Sequence, residues 1–172
     1  EVAVNRVCLG INICSFKREP YVKKNVDNIC RGLLNSPDSS IKEDIEVFII
    51  DNGQTLHNIL EHHPKVHLIP NKNYGGSGGF TRGIIEISRL SDRFTHILMM
   101  DDDVVIDVHV LEKLVNFLKV LSPDYLDLHI AGGMMTIDNP TFQFEATALW
   151  DGIGHPLKAL HLDIPQNLFW HE

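Results

Sequence analysis

Thr95-His96-Ile97-Leu98-Met99-Met100-Asp101-Asp102-Asp103 is an apolar run of strand length closed by three consecutive carboxylates. The run reads as a buried strand, and the aspartates stand where it ends. Three like charges within a few ångströms disfavour one another's ionisation unless a cation joins them. A strand end in an α/β sheet is also where such domains place their ligand sites. A divalent metal is the simplest cation that satisfies both conditions.

On either side of this run, strand and helix patterns take turns. Arg6 to Cys14 reads as a buried strand, and Tyr21 to Leu34 carries Val22, Val26, Ile29 and Leu33 at helical spacing. Ile45 to Ile50 reads as a second strand closed by Asp51-Asn52-Gly53, followed by a short helix at Leu56, Ile59 and Leu60 that stops near Pro64. A third strand spans Val66 to Ile69, and a glycine-rich loop, Asn71 to Phe80, leads into a helix with Ile84, Ile87 and Leu90. Beyond the aspartates, Leu111, Leu114, Val115 and Leu118 share one face of a helix from Val108 to Leu121, and Leu128 to Met134 reads as another strand. Four strands alternating with three helices predict an α/β fold with a mostly parallel, helix-covered sheet. The loops at the strands' C-terminal ends then share one crevice.

The 172 residues fit about one domain, and 44% apolar content fits a globular chain. No apolar stretch reaches bilayer length, and the start Glu1-Val2-Ala3-Val4-Asn5-Arg6 lacks the pattern of a secretory signal. A net charge of −8, with no basic cluster beyond Lys17-Arg18 and Lys23-Lys24, argues against a nucleic-acid surface. Cys8, Cys14 and Cys30 lack Cys-x-x-Cys spacing and read as reduced thiols of a cytoplasmic protein. The start without Met and the end at Phe169-Trp170-His171-Glu172 lead us to expect an excised piece of a longer protein.

Three strand ends carry polar sequence: Ser15-Phe16-Lys17-Arg18, Asp51-Asn52-Gly53 and the aspartates. In a parallel sheet all three face one rim. The glycines at 75, 76, 78 and 79 let backbone approach a ligand closely, and the helix start behind them offers N–H groups to a phosphate. Mg²⁺ or Mn²⁺, held by carboxylates and substrate oxygens, suits a pyrophosphate. Residues two apart on an extended segment point the same way, so Asp101 and Asp103 are the candidate metal ligands. Asp102 then turns toward a sugar hydroxyl or a basic neighbour.

Together these segments resemble the GT-A nucleotide-sugar glycosyltransferases of family 2. The resemblance is carried by Asn12 to Arg18, Phe48 to Gly53, Asn71-Lys72-Asn73 with the Gly75 to Gly79 segment, and Asp101-Asp102-Asp103 as an Asp-x-Asp motif. The glycine segment followed by Met-Met-Asp-Asp-Asp is most similar to the galactofuranosyltransferase and rhamnosyltransferase-like branch of bacterial cell-envelope synthesis. That resemblance implies a GT-A, Rossmann-like domain over residues 1–172, with helices on both faces of its sheet. It also implies inverting transfer from a UDP- or dTDP-sugar to a glycan or lipid-linked acceptor, with Mn²⁺ or Mg²⁺ as cofactor. Residue by residue, it places Ser15 and Asp51 at the nucleoside and Arg18 near the phosphates. Asn73, Gly75, Gly76, Gly78 and Gly79 fall against ribose and donor sugar, Arg82 near phosphate charge, and Asp101 with Asp103 on the metal. Inversion needs a general base for the acceptor hydroxyl. The resemblance puts it on a segment beyond this chain, leaving Glu145 and Asp151 as acceptor contacts. The full-length protein is expected in the cytoplasm, with peripheral association at the inner face of the membrane.

Competing readings exist for the same residues. Asp103 or Asp107 fits the N-cap of the Val108 helix. Ile97 to Val105 fits the haloacid-dehalogenase phosphatase pattern, with Asp101 as nucleophile and Asp103 as acid, but only Lys113, Lys119 and Lys158 follow and no second Asp pair does. A nicotinamide-binding domain needs its Gly-x-Gly-x-x-Gly after the first strand, whereas these glycines follow the third. A domain that binds nucleotide without catalysis is the remaining alternative.

Overall fold

The structure, a computed structural model, describes residues 4–90, 92–122, 133–135, 142–148, 154–161 and 164. The chain divides into two compact units, Glu1–Leu126 and Asp127–Glu172.

The first unit is built on β1 (Leu9–Ser15), β2 (Ile45–Asp51), β3 (Val66–Pro70) and β4 (His96–Asp101), in the order β3-β2-β1-β4 and all parallel. Alternation along β1 sends Leu9, Ile11 and Ile13 into the main core, where Ile45, Val47 and Ile49 of β2 meet them. Helices α1 (Glu19–Ile29) and α3 (Val108–Val120) cover that face with Val22, Val26, Ile29, Leu111, Val115 and Leu118. On the other face, Ile87 of α2 (Gly75–Ser88) packs with Cys8, Phe48 and Phe94. Helices thus lie on both faces of a parallel sheet, as the sequence predicts.

Several boundaries differ from expectation. β1 starts at Leu9, where its pairing with Ile45 and His96 begins, and the Arg6 guanidinium ahead of it donates to the carbonyls of Asp92 and Arg93. Helix α1 starts at Glu19, with Pro20 in its first turn where a missing N–H costs nothing, and it ends in a π-helical turn, Cys30–Leu34. The short helix expected at Leu56 to Leu60 does not form. The Asp51 carboxylate takes the Gly53 and Leu56 amides instead, and Gln54 adopts φ 53°, so the chain crosses to β3 by turns. Only two helices therefore connect the first four strands. The expected strand from Leu128 appears as β5 (Gly133–Met135), its earlier residues lying outside the described ones.

The largest departure is the glycine-rich loop, which is the first part of α2. Gly79 and Gly83 let that helix lie directly on β1. A Cβ at Gly79 would stand 2.1 Å from Cys14 Sγ, and one at Gly83 2.0 Å from Asn12 Oδ1. Glycine costs a helix roughly 1 kcal/mol per residue against alanine, and here close packing outweighs that cost.

The second unit is an antiparallel sheet in the order β5-β6-β7, with β6 spanning Phe142–Ala148 and β7 Gly154–His161.

Candidate functional site

Register brings the chemistry together. Ser15 is paired with Asp51, Asp51 with Pro70, and Cys14 with Asp101, so the strands end in one row. Above that row lies a cleft of about 480 Å³. Asp101, Asp102 and Asp103 line it together with Asn73, Gly75 and Gly76, as do Phe16, Arg18, Cys14 and Asn52.

The strand ends at Asp101, and Asp102–Asp103 turn away from it, so the segment is not extended as expected, although exposure still alternates. Asp101 and Asp103 are exposed, whereas Asp102 is only 7% exposed. Burial raises the Asp102 carboxyl above its usual range, and the Asp103 and Asp101 charges add to it, while Ser15 and Arg18 act the other way. Arg18, the N-cap residue of α1, pairs through Nη1 with Asp103 and lies 3.7 Å from Asp102 Oδ1. Asp107, not Asp103, caps α3 by accepting from the His109 amide at 3.0 Å, so helix capping does not account for Asp103.

Among the described residues, no three His, Cys, Asp or Glu side chains converge closely enough to hold a metal ion. Two exposed carboxylates lining an open cleft still match the way Mg²⁺ or Mn²⁺ is held by one or two carboxylates plus substrate phosphates. The donor set fits such a shared site and does not fit an all-protein cage.

The remaining expected residues divide. Ser15 is buried beside Asp102, and its Oγ has no hydrogen-bond partner, although it lies near enough to favour the ionised carboxylate. Asp51 is 2% exposed, and its two oxygens accept from the Gly53 amide at 3.1 Å and the Leu56 amide at 2.9 Å. Asn73 Oδ1 accepts from the Gly75 amide at 3.0 Å, ahead of Tyr74, which gives α2 no side-chain cap. Gly78 and Arg82 line a separate depression of about 450 Å³ with Asn71, Tyr74, Ser77 and Thr81. Arg82 Nε donates to Glu86 at 2.7 Å and is not brought to the aspartates. Glu145 lies in β6, with Gly133 and Lys158 as strand partners, and Asp151 lies outside the described residues.

Three asparagines to which the sequence reading gave no individual role shape the site. Asn25, buried in α1, donates to the carbonyls of Asp102 at 3.0 Å and Val104 at 2.6 Å, and Asn28 donates to Ile106 at 2.8 Å. These bonds fix the backbone carrying the aspartates. Asn52 donates to the Gly75 carbonyl at 3.1 Å and accepts from Asn71 Nδ2 at 2.8 Å, tying the end of β2 to the start of α2. The available signal was two asparagines inside a helix, where that residue is unfavourable without a side-chain partner.

The sequence matches the profile described as Glycosyl transferase family 2 over residues 11–147, from β1 into β6. The chain belongs to glycosyl transferase family 2. No curated protein matches it. A family 2 glycosyltransferase takes a nucleotide-sugar donor and an acceptor, so the phosphatase and nicotinamide readings of the same residues fall away. The four-stranded parallel sheet agrees with the GT-A, Rossmann-like arrangement of this glycosyltransferase family. Among the described residues, no helix is long and apolar enough to cross a membrane.

Proposed function

We propose that this glycosyltransferase carries out inverting, metal-dependent transfer from a UDP- or dTDP-sugar to a glycan or lipid-linked acceptor. One observation carries the reading: the exposed Asp101 and Asp103 line the same cleft as Gly75 and Gly76 at the start of α2, at the sheet's C-terminal rim. The nearest activity is that of the galactofuranosyltransferase and rhamnosyltransferase-like branch of bacterial envelope synthesis, supported by the Gly75 to Gly79 segment together with Met99 to Asp103. In this reading residues 1–172 are the donor-binding domain, working in the cytoplasm at the inner face of the membrane.

Asp101 and Asp103 would hold Mn²⁺ or Mg²⁺, whose chemistry there is Lewis-acid stabilisation of the departing diphosphate. The start of α2 offers backbone N–H groups and its positive dipole end to the same phosphates. Ser15 and Asp51 underlie the nucleoside, and Asn73 borders ribose and sugar. Asp102, buried near Ser15 and Arg18, faces a basic neighbour. Glu145 and Asp151 serve as acceptor contacts rather than as the base.

Thermal melting with UDP, dTDP or GDP, each with and without Mn²⁺, tests the reading. At about a hundred times Kd, the preferred nucleotide with Mn²⁺ stabilises by about 2.7 kcal/mol. For a chain of this size that raises Tm by about 5–11 °C. Asp101→Asn and Asp103→Asn should each lose the Mn²⁺-dependent part. If both variants keep it in full, the metal assignment is wrong.

A further inference from the structure

The ion pair at the mouth of the cleft bears on how the two ligands enter it. Arg18 pairs with Asp103 and reaches toward Asp102, and no other Lys or Arg forms an ion pair with the three aspartates among the described residues. A guanidinium keeps its charge at any working pH, so it occupies the place in the charge pattern that a divalent ion would take. The two cations repel each other, and both need Asp103. They cannot share that carboxylate at full strength.

The geometry also shows what would remove the arginine. Arg18 and Asp103 are about half exposed, at 49% and 47%, so their pairing is weak and reversible. The guanidinium lines the same cleft as Gly75 and Gly76, where the diphosphate belongs in the reading above. Arginine binds phosphate through a planar fork in charge-assisted, often bidentate pairs, and a diphosphate offers more charge and more acceptor oxygens than one carboxylate.

We infer that Arg18 is an exchange residue: it closes the metal ligand Asp103 in the free protein and is drawn off by the diphosphate, which hands that carboxylate to the metal. The inference rests on the proposed metal-dependent donor site and adds a coupling through this chain's own side chain. Linkage makes the coupling reciprocal, so metal tightens nucleotide binding by the factor that nucleotide tightens metal binding.

Mn²⁺ binding, followed by the electron paramagnetic resonance of the free ion and corrected for Mn–UDP in solution, tests this without any turnover. A solvent-exposed ion pair weakens a competing ligand only modestly, by about fivefold at most. Arg18→Met should therefore raise nucleotide-free Mn²⁺ affinity about two- to fivefold and cut the enhancement caused by UDP by a similar factor. Arg18→Gln, which also removes the charge, should behave alike. Lys17→Met controls for net charge, because Lys17 Nζ lies over the Phe16 ring at 5.3 Å and forms no ion pair with the aspartates. It should change the affinity by less than about twofold. An unchanged or lower nucleotide-free affinity in both Arg18 variants, with UDP-dependent Mn²⁺ binding intact in the parent, overturns the exchange alone. An equal rise in Lys17→Met overturns it too, as a general charge effect. If the parent binds no Mn²⁺ even with UDP, the metal reading itself fails and takes the exchange with it.

Discussion

Replacing Gly83 by alanine sets two known effects against each other. In a helix interior, alanine is favoured over glycine by about 1 kcal/mol, so helix propensity alone would stabilise α2. The structure opposes that gain. The new Cβ would stand 2.0 Å from Oδ1, 2.3 Å from Cγ and 2.5 Å from Nδ2 of Asn12, a residue with no exposed surface. Either α2 lifts off β1, at an overpacking cost of about 1–3 kcal/mol, or Asn12 turns away. Turning breaks its 2.9 Å bond to the Phe80 carbonyl and strands a second buried group beside Oδ1, which already lacks a partner, at about 1–3 kcal/mol. After the propensity gain is subtracted, the net loss centres near 1 kcal/mol, or about 2–4 °C in Tm. Circular dichroism melting of Gly83→Ala measures it. The double variant Asn12→Ala/Gly83→Ala should recover part of the loss, with a coupling of about 1 kcal/mol or more. A Gly83→Ala protein that melts at or above the parent temperature would refute the contact between α2 and β1 on which the shape of the cleft depends.

Two further outcomes follow from residues along the cleft. The raised Asp102 carboxyl burdens the fold with a cost that develops as pH climbs from the unfolded value near ~3.9 through the higher folded one, then stays constant above it. Asp102→Asn should therefore raise the metal-free Tm at pH 7.5 and lose that gain near pH 4, and a gap of equal size at both pH values would contradict burial as its cause. Gly75 holds φ 75°, where a side chain costs about 1–2 kcal/mol, whereas a Cβ at Gly76 meets open space. Scanning fluorimetry should find Gly75→Ala lowered by about 2–8 °C and Gly76→Ala at or slightly above the parent; equal shifts would speak against the strained start of α2.

What the sequence reveals here depends on how locally each feature is determined. β1, β2 and β4 announce themselves as short apolar runs ended by polar residues, and the aspartates are legible because three adjacent carboxylates have few structural uses. Segments whose conformation is decided by a distant partner are not legible in this way. The Gly75 to Gly79 stretch looks like a loop by composition, yet it is helical, and Gly79 within it packs on Cys14 of β1 where a Cβ has no room, as Gly83 does on Asn12 one turn later. Leu56 to Leu60 looks like a helix by spacing, yet the Asp51 carboxylate captures the Gly53 and Leu56 amides and bends the chain into turns.

Asp51 shows why the two kinds of signal meet at the rim. The same side chain closes the turn after β2 and stands in register between Ser15 and Pro70, so it is a structural residue and a candidate nucleoside contact at once. Each carboxylate oxygen has two lone pairs and gives one to a backbone amide, which leaves acceptor capacity in a group already fixed in direction. Asn25 and Asn52 act in the same manner, holding the aspartate segment and the start of α2 by side-chain bonds to backbone carbonyls. The rim is therefore held by polar side chains whose bonds go to backbone groups. That arrangement explains why the acidic motif stands out in the sequence while the residues that position it do not.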